Sequence, residues 1–222
     1  MVSYGPFETH LLSYTYQGDS GFTAGLSLEE GVGKGELVND FNDDGVADTT
    51  IKSGDIYAID SYMPHVVAGL GYTAGWGGVK VVGAYDSVWE EYAVKARLDA
   101  DLSETISGFI MAGWKSADEY VVDLNRDGQV DRYVNSPNNY GRWGGDWAVW
   151  GGVTAKVSPR AKVNVQISYD AFENFAAVAN VGYELVPGLM ITPEVGFVDN
   201  FDDLADDKDG EINGFLRLQR NF

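Results

Sequence analysis

Apolar and polar residues alternate with period two through most of this chain. In 161–170, Val163, Val165, Ile167 and Tyr169 fall on one side, and Lys162, Asn164, Gln166, Ser168 and Asp170 on the other. In 89–101, Tyr92, Val94, Ala96 and Leu98 oppose Glu91, Lys95, Arg97 and Asp99. In 145–157, Trp147, Val149, Val153 and Val157 oppose Thr154 and Lys156. The final stretch repeats the pattern, with Ile212, Gly214, Leu216, Leu218, Arg220 and Phe222 set against Asn213, Phe215, Arg217, Gln219 and Asn221. Successive side chains of a strand point to opposite faces, so this period predicts strands with one apolar and one polar face. Eleven runs are predicted, at 7–17, 21–31, 63–74, 78–85, 89–101, 105–116, 145–157, 161–170, 174–185, 189–198 and 211–222. No stretch carries a convincing amphipathic helix, so the predicted class is all-β.

The runs are long for a soluble sheet, whose strands usually have about 5–6 residues. Alternation sustained over about 10 residues is what a transmembrane β-strand requires. The polar set is rich in small and charged side chains, which suits a water-filled interior. The connections sort themselves as well. Gln17–Gly21, Ala74–Gly78, Asp101–Glu104, Ser158–Ala161 and Val186–Gly188 are tight. Between them lie 31–62, 86–88, 117–144, 171–173 and 199–210, of which 31–62, 117–144 and 199–210 are long and acidic. Tight turns on one side and longer loops on the other is the outer-membrane arrangement. The pattern therefore predicts one antiparallel transmembrane β-barrel domain over 1–222. Aromatic residues near the run ends (Trp76, Tyr85, Trp89, Trp114, Trp147, Tyr169, Phe172, Phe175, Tyr183, Phe197 and Phe222) fit interfacial girdles.

Composition excludes several other classes. The chain has 28 Gly and no Cys among its 222 residues, so disulfides and cysteine-ligated metals are out. No apolar run approaches the roughly 20 residues of a transmembrane helix, which a barrel does not need. The net charge of −19 repels phosphates and argues against nucleic acid as a partner. The two histidines, His10 and His65, sit in no recognisable catalytic motif. Phosphate-loop, dinucleotide and zinc spacings are absent, so an enzyme is not expected. Met1-Val-Ser-Tyr4 has neither the basic region nor the apolar core of a signal peptide.

The acid collects in the long loops, and there the spacing adds a candidate chemistry. Asp40-Phe-Asn42-Asp-Asp44-Gly45-Val46-Ala-Asp48 and Asp123-Leu-Asn125-Arg-Asp127-Gly128-Gln129-Val-Asp131 both fit D-x-N-x-D-G-x-x-D. Oxygens at positions 1, 3, 5 and 9, with the backbone carbonyl at position 7 (Val46, Gln129), can wrap one Ca²⁺ around the glycine turn. Position 12 holds Ile51 and Val134 in place of the bidentate Glu of a helix–loop–helix site. The bland alternative is an Asx-rich turn on an acidic surface.

If the polar faces line a lumen, they place Lys80, Lys95, Arg97, Lys156, Lys162 and Arg217 there, together with Glu91, Asp99, Glu184 and Glu194. Rings or ladders of such charges govern ion selectivity, or they satisfy one another and keep the pore wet. Arg220 falls on the apolar face near a strand end, where it can snorkel to the interface.

The segments 59–72 (IDSYMPHVVAGLGY), 83–91 (GAYDSVWEE), 144–152 (GGDWAVWGG) and 179–194 (ANVGYELVPGLMITPE), with the close Arg217-Leu-Gln-Arg-Asn-Phe222, resemble the general porins of alphaproteobacteria. The resemblance covers nearly the whole chain. It implies a sixteen-stranded, homotrimeric, water-filled channel for small hydrophilic solutes, set in outer-membrane lipid and lipopolysaccharide. It also implies a constriction loop just before the strand that resembles 7–17, so that eyelet is expected to be missing or reduced to Met1–Pro6. Parity leads to a related expectation. With the last strand descending to the periplasm, eleven runs place the N-terminus outside, whereas bacterial barrels have even strand numbers. Either a twelfth strand hides in 54–62, or the chain is the C-terminal part of a larger barrel. A reading from another class also stands: a secreted or surface Ca²⁺-binding β-rich protein without an open pore.

Overall fold

The computed structural model describes residues 9–31, 37–39, 49–51, 58–59, 61–116, 119–122, 132–135, 138–200 and 210–221. The strands in these residues are β1 (Leu11–Gln17), β2 (Phe22–Glu29), β3 (Leu37–Asn39), β4 (Thr49–Ile51), β5 (His65–Ala74), β6 (Gly77–Asp86), β7 (Glu91–Asp101), β8 (Ile106–Lys115), β9 (Glu119–Val122), β10 (Arg132–Asn135), β11 (Trp147–Ser158), β12 (Ala161–Asp170), β13 (Asn174–Val186), β14 (Leu189–Asn200) and β15 (Glu211–Arg220). Eleven of them form one antiparallel sheet in the order β1-β2-β5-β6-β7-β8-β11-β12-β13-β14-β15. These are the eleven predicted runs, with ends moved by a few residues. Each strand pairs with the next one along the chain, so the sheet is a meander. The ribbons β3–β4 and β9–β10 are additional and lie inside the long loops 31–62 and 117–144. Residues 58, 59, 61 and 62 carry no strand, and the rest of the candidate run 54–62 lies outside the described residues. β1 and β15 are the outermost strands, and among the described residues no ladder joins them.

The tight turns fall where predicted, all at one end of the sheet. Two of them require glycine for a stated reason. Gly21 has φ +83° and Gly77 φ +137°, and a Cβ at either position would stand 2.1 Å from a carbonyl oxygen of the neighbouring strand (Thr73 and Asp99 respectively). Only a residue without Cβ accepts both the dihedral and the contact.

Register fixes the two faces. Residues directly opposite in an antiparallel pair share a face. On one face the row runs Lys80, Arg97, Met111, Trp150, Ser168, Ala176. One residue away, on the other face, it runs Val81, Ala96, Ala112, Val149, Tyr169, Phe175. The apolar face is the exposed one: Leu12, Leu26, Leu70, Ile110 (64%), Ile167 (51%) and Leu216 all stand open. The buried side chains, among them Ala93, Ala148, Trp150, His65, Asp86, Lys115 and Asp170, lie on the polar face or over it. This inverts a water-soluble sheet, and it is the arrangement expected when lipid is the outer solvent. The ladder hydrogen bonds satisfy the backbone within the sheet, which a hydrocarbon solvent cannot do.

Aromatic residues ring the outer face near its ends. At the long-loop end, Tyr85 meets Tyr92 at 5.0 Å, Trp147 meets Tyr169 at 5.9 Å, and Phe175 meets Phe197 at 6.2 Å. Trp114 stands opposite Trp147 in register. At the tight-turn end Tyr16 and Phe22 are 6.5 Å apart. Amphipathic rings at these levels suit the two membrane–water interfaces.

Candidate functional site

All ten charged residues predicted for the polar face share one face by register. Lys80 is opposite Arg97, and Lys95 and Asp99 are two residues to either side of Arg97. Glu91 is opposite Asp86, Lys156 opposite Lys162, and Glu194 opposite Asn180. Arg217 is opposite Thr192, and Glu184 opposite Met190. Toward the tight-turn end, four of the strands carry a transverse polar row. Thr154 Oγ1 donates to Asn164 Oδ1 (2.8 Å), Asn164 Nδ2 to Asn180 Oδ1 (2.7 Å), and Asn180 Nδ2 to Glu194 Oε2 (2.9 Å). These residues are direct register partners, so the row is one level of the inner face. Lys80 and Arg97 are like charges in direct opposition, which by itself is unfavourable. Asp99 offsets this with a forked contact. Arg97 Nε donates to Asp99 Oδ2 (2.9 Å) and a terminal nitrogen to Oδ1 (2.6 Å), while the guanidinium carbon lies 3.9 Å from the Phe109 ring centre. Glu184 turns toward the β13–β14 turn, where it accepts from Gly188 N–H (3.0 Å).

The long-loop end is different, because a segment of the β8–β11 connection folds back over the inner face. Nothing in the period-two pattern predicts this strap, residues 138–146. Asn138, Asn139, Tyr140 and Trp143 are all buried. Asn138 Nδ2 donates to Tyr92 O (3.1 Å), and Tyr140 OH to Glu29 Oε2 (2.9 Å). Lys115 Nζ donates to the carbonyls of Gly141 (2.7 Å) and Trp143 (3.0 Å). Asp86 Oδ2 accepts from Asn139 N–H (2.8 Å), and Asp170 Oδ2 accepts from Gly144 N–H (2.9 Å). The Trp143 ring packs edge-on to Trp150 at 5.6 Å, beside Phe109 and Met111, with Lys95 Nζ 5.5 Å from its centre. Tyr140 meets the buried His65 edge-on at 5.6 Å. Burial and then the Glu29 carboxylate hold the Tyr140 phenol well above its ordinary pKa, so it stays the donor in that bond.

The strap also changes the standing of two predicted residues. Glu91 is on the inner face but buried, with Ser116 Oγ donating to its carboxylate, and Lys95 is covered by Trp143. The hint in the sequence is Tyr140-Gly-Arg-Trp-Gly-Gly145, an aromatic, glycine-rich stretch at the end of an otherwise acidic loop. Glycine matters here because a Cβ at Gly113 would stand 2.8 Å from the Trp143 ring, and one at Gly141 2.6 Å from Lys115 Cδ. The two calcium-type loops, Asp40–Asp48 and Asp123–Asp131, lie outside the described residues. Among the described residues no group of three or more acidic or histidine side chains is placed to hold a metal ion.

A meander with an exposed apolar outer face, aromatic girdles and a charged, hydrogen-bonded inner face is the wall of an outer-membrane β-barrel. The sequence profile described as a porin subfamily, Porin_2, matches residues 1–215, and the chain belongs to that family. It is 38% identical over 224 aligned residues to porin Omp2b of Brucella suis biovar 1 (strain 1330), covering 100% of this chain and 54% of that protein. It is 39% identical over 225 residues to porin Omp2a of Brucella melitensis biotype 1, covering 100% of this chain and 52% of that protein. The chain thus spans about half the length of these relatives. Among solved structures it is similar to the outer membrane channel DcaP of Acinetobacter baumannii, with a TM-score of 0.55 at 16% identity over 98% of this chain and 66% of that one. At that identity the likeness is one of fold. The chain is an outer-membrane protein of a channel family and not an enzyme.

Proposed function

We propose that the chain forms the wall of a water-filled channel for passive diffusion of ions and small hydrophilic solutes. The observation that carries this reading is the collection of charged and amide side chains on the one sheet face turned away from lipid. On this reading Lys80, Arg97, Asp99, Lys156, Lys162, Glu184, Glu194 and Arg217 line the pore, with Lys95 and Glu91 under the strap at its outer mouth. Planar-bilayer recording of the refolded full-length protein tests the reading. Ohmic conductance is expected, with swelling of proteoliposomes in small sugars. A folded, membrane-inserted protein without conductance defeats it and favours a barrel with no open pore.

Three finer points belong to the same proposal. A homotrimer seated in lipopolysaccharide is supported by the family resemblance of 59–72, 144–152 and 179–194, and light scattering in detergent tests the trimer. Ca²⁺ binding by Asp40, Asn42, Asp44, Val46 and Asp48, and by Asp123, Asn125, Asp127, Gln129 and Asp131, is supported by ligand spacing alone. Calorimetric titration with Ca²⁺ tests it, and absence of binding removes it without touching the channel reading. Ion selectivity set by the inner-face charges is supported by their shared face, and zero-current potentials in a salt gradient test it.

A further inference from the structure

We infer that residues 138–146 are a constriction of the channel, and that they bound the size of solute passed. This rests on the channel reading above. The strap is clamped at Asn139 to Asp86, at the end of β6, and at Gly144 to Asp170, at the end of β12. Between β6 and β12 lie four inter-strand steps in the sheet. At about 4.8 Å per step the wall covers roughly 19 Å along its curve. The five steps from residue 139 to residue 144 reach at most about 17 Å when fully extended, and they contain a turn. The strap therefore crosses the inner face directly, as a chord whose ends the Asp86 and Asp170 side chains reach out to meet.

Its side chains fill the space between chord and wall. Trp143 and Tyr140 are buried there against Trp150 and His65. The charges beneath are taken up in holding it: Lys115 on two strap carbonyls, Asp86 and Asp170 on strap N–H groups, and Glu29 on Tyr140. Toward the tight turns no strap residue intrudes. There the inner face opens into a polar hollow of about 560 Å³ lined by Thr73, Lys80, Arg97, Asp99, Ser107 and Thr154. The passage is thus narrowed at its long-loop end by a held segment, while the lining below is polar and charged with no strap residue in it.

Two variants of the full-length protein in planar bilayers and proteoliposomes provide the test. Tyr140→Ala with Trp143→Ala empties the space behind the chord and frees the strap, so single-channel conductance should rise and the swelling cut-off move to larger sugars. Because the chain has no cysteine, Arg142→Cys places a unique thiol on the strap. A bulky thiol reagent added to the folded channel should then lower its conductance. A conducting wild type whose current is altered by neither change overturns the constriction and leaves the channel reading intact. A wild type that does not conduct overturns the channel reading itself. If the double variant fails to fold, the labelled Arg142→Cys protein decides alone.

Discussion

Asp86 and Asp170 perform the same task at two points 84 positions apart in the sequence. Each ends a strand at the long-loop edge and each is buried. Each uses Oδ1 for its own turn: Asp86 accepts from Val88 N–H (3.0 Å), and Asp170 from Phe172 N–H (3.1 Å). Each uses Oδ2 for the strap: Asp86 accepts from Asn139 N–H and Asp170 from Gly144 N–H. A carboxylate has lone pairs enough for both jobs, and an ionised acceptor strengthens each bond. Removing it strands strap and turn N–H groups, at about 1–3 kcal/mol for a buried one such as Asn139 and less for the part-buried ones. Asp86→Ala and Asp170→Ala should each lower the thermal midpoint of the folded barrel, read by circular dichroism in detergent. Asn keeps one carbonyl oxygen and turns an NH₂ toward the other N–H, so the Asp→Asn variants should lose less than the Ala variants. Ala variants as stable as wild type would show that the clamps are idle.

Two mid-strand glycines on opposite faces should respond oppositely to a single methyl group. A Cβ at Gly113 would meet the Trp143 ring at 2.8 Å and 3.1 Å, and Lys95 Cγ at 3.3 Å. Overpacking of this kind costs about 1–3 kcal/mol. A Cβ at Gly83 on the outer face meets nothing nearer than Ala93 O at 4.0 Å. Gly113→Ala should therefore destabilise the protein or dislodge the strap, while Gly83→Ala should be near neutral in the same melt. Equal midpoints would mean that Trp143 does not rest on Gly113.

Tyr140 gives the strap a dependence on alkaline pH. Its folded pKa is raised, by burial first and by Glu29 second, above the ordinary value of about 10. The folded state then holds the proton more tightly than the unfolded state. Its contribution is fully present below about pH 10 and declines as the pH rises toward the folded pKa. Tyr140→Phe should remove a late-ionising phenol from the ultraviolet titration of the folded protein. It should also flatten the loss of stability above about pH 10, at the cost of the bond to Glu29 at every lower pH. A difference titration with no late component would refute the assignment.

The strands were legible because their cause is local. Lys162, Asn164, Gln166 and Ser168 alternate with Val163, Val165 and Ile167 whatever surrounds them, and register then carries that parity across the sheet. The turn at Gly77 was legible for the same reason. The strap was not, because nothing in Asn138–Gly145 is periodic, and its position depends on Asp86, Lys115 and Asp170 from three different strands. For that reason the alternation assigns Glu91 and Lys95 a face but carries no sign that Trp143 covers Lys95 or that Ser116 engages Glu91. The ribbons β3–β4 and β9–β10 are not legible because strands of three or four residues are too short for a period to show.

The polar row Thr154–Asn164–Asn180–Glu194 ends in a carboxylate on β14, and at its other end, on β11 and β12, two exposed lysines, Lys156 and Lys162, oppose each other directly. Removing the negative charge with Glu194→Gln should shift the zero-current potential in a salt gradient toward anion preference. Lys162→Glu should shift it toward cations. It also turns a like-charge pair into an opposite one, worth roughly 0.2–1 kcal/mol. Unchanged potentials in both variants would mean that ions do not pass along this wall.

Neighbouring positions on one strand separate lipid from lumen most sharply. Ile167 is 51% exposed on the outer face, opposite Gly151 and Ala177 and midway along β12. Gln166, one residue earlier, faces inward opposite Gly152 and Val178. A charge on the lipid face near the bilayer centre costs about 2–4 kcal/mol, whereas the same charge in a wet lumen is nearly free. Ile167→Arg should therefore fold poorly into bilayers, with the loss read from a urea-driven folding equilibrium in lipid vesicles. Gln166→Arg should fold like the wild type and, as an added lumen cation, move the zero-current potential toward anions. Net hydrophobicity falls in both variants, so a general solubility effect would penalise both. Only a sheet with lipid on one side and water on the other separates them, and equal penalties would reject the assignment of the two faces.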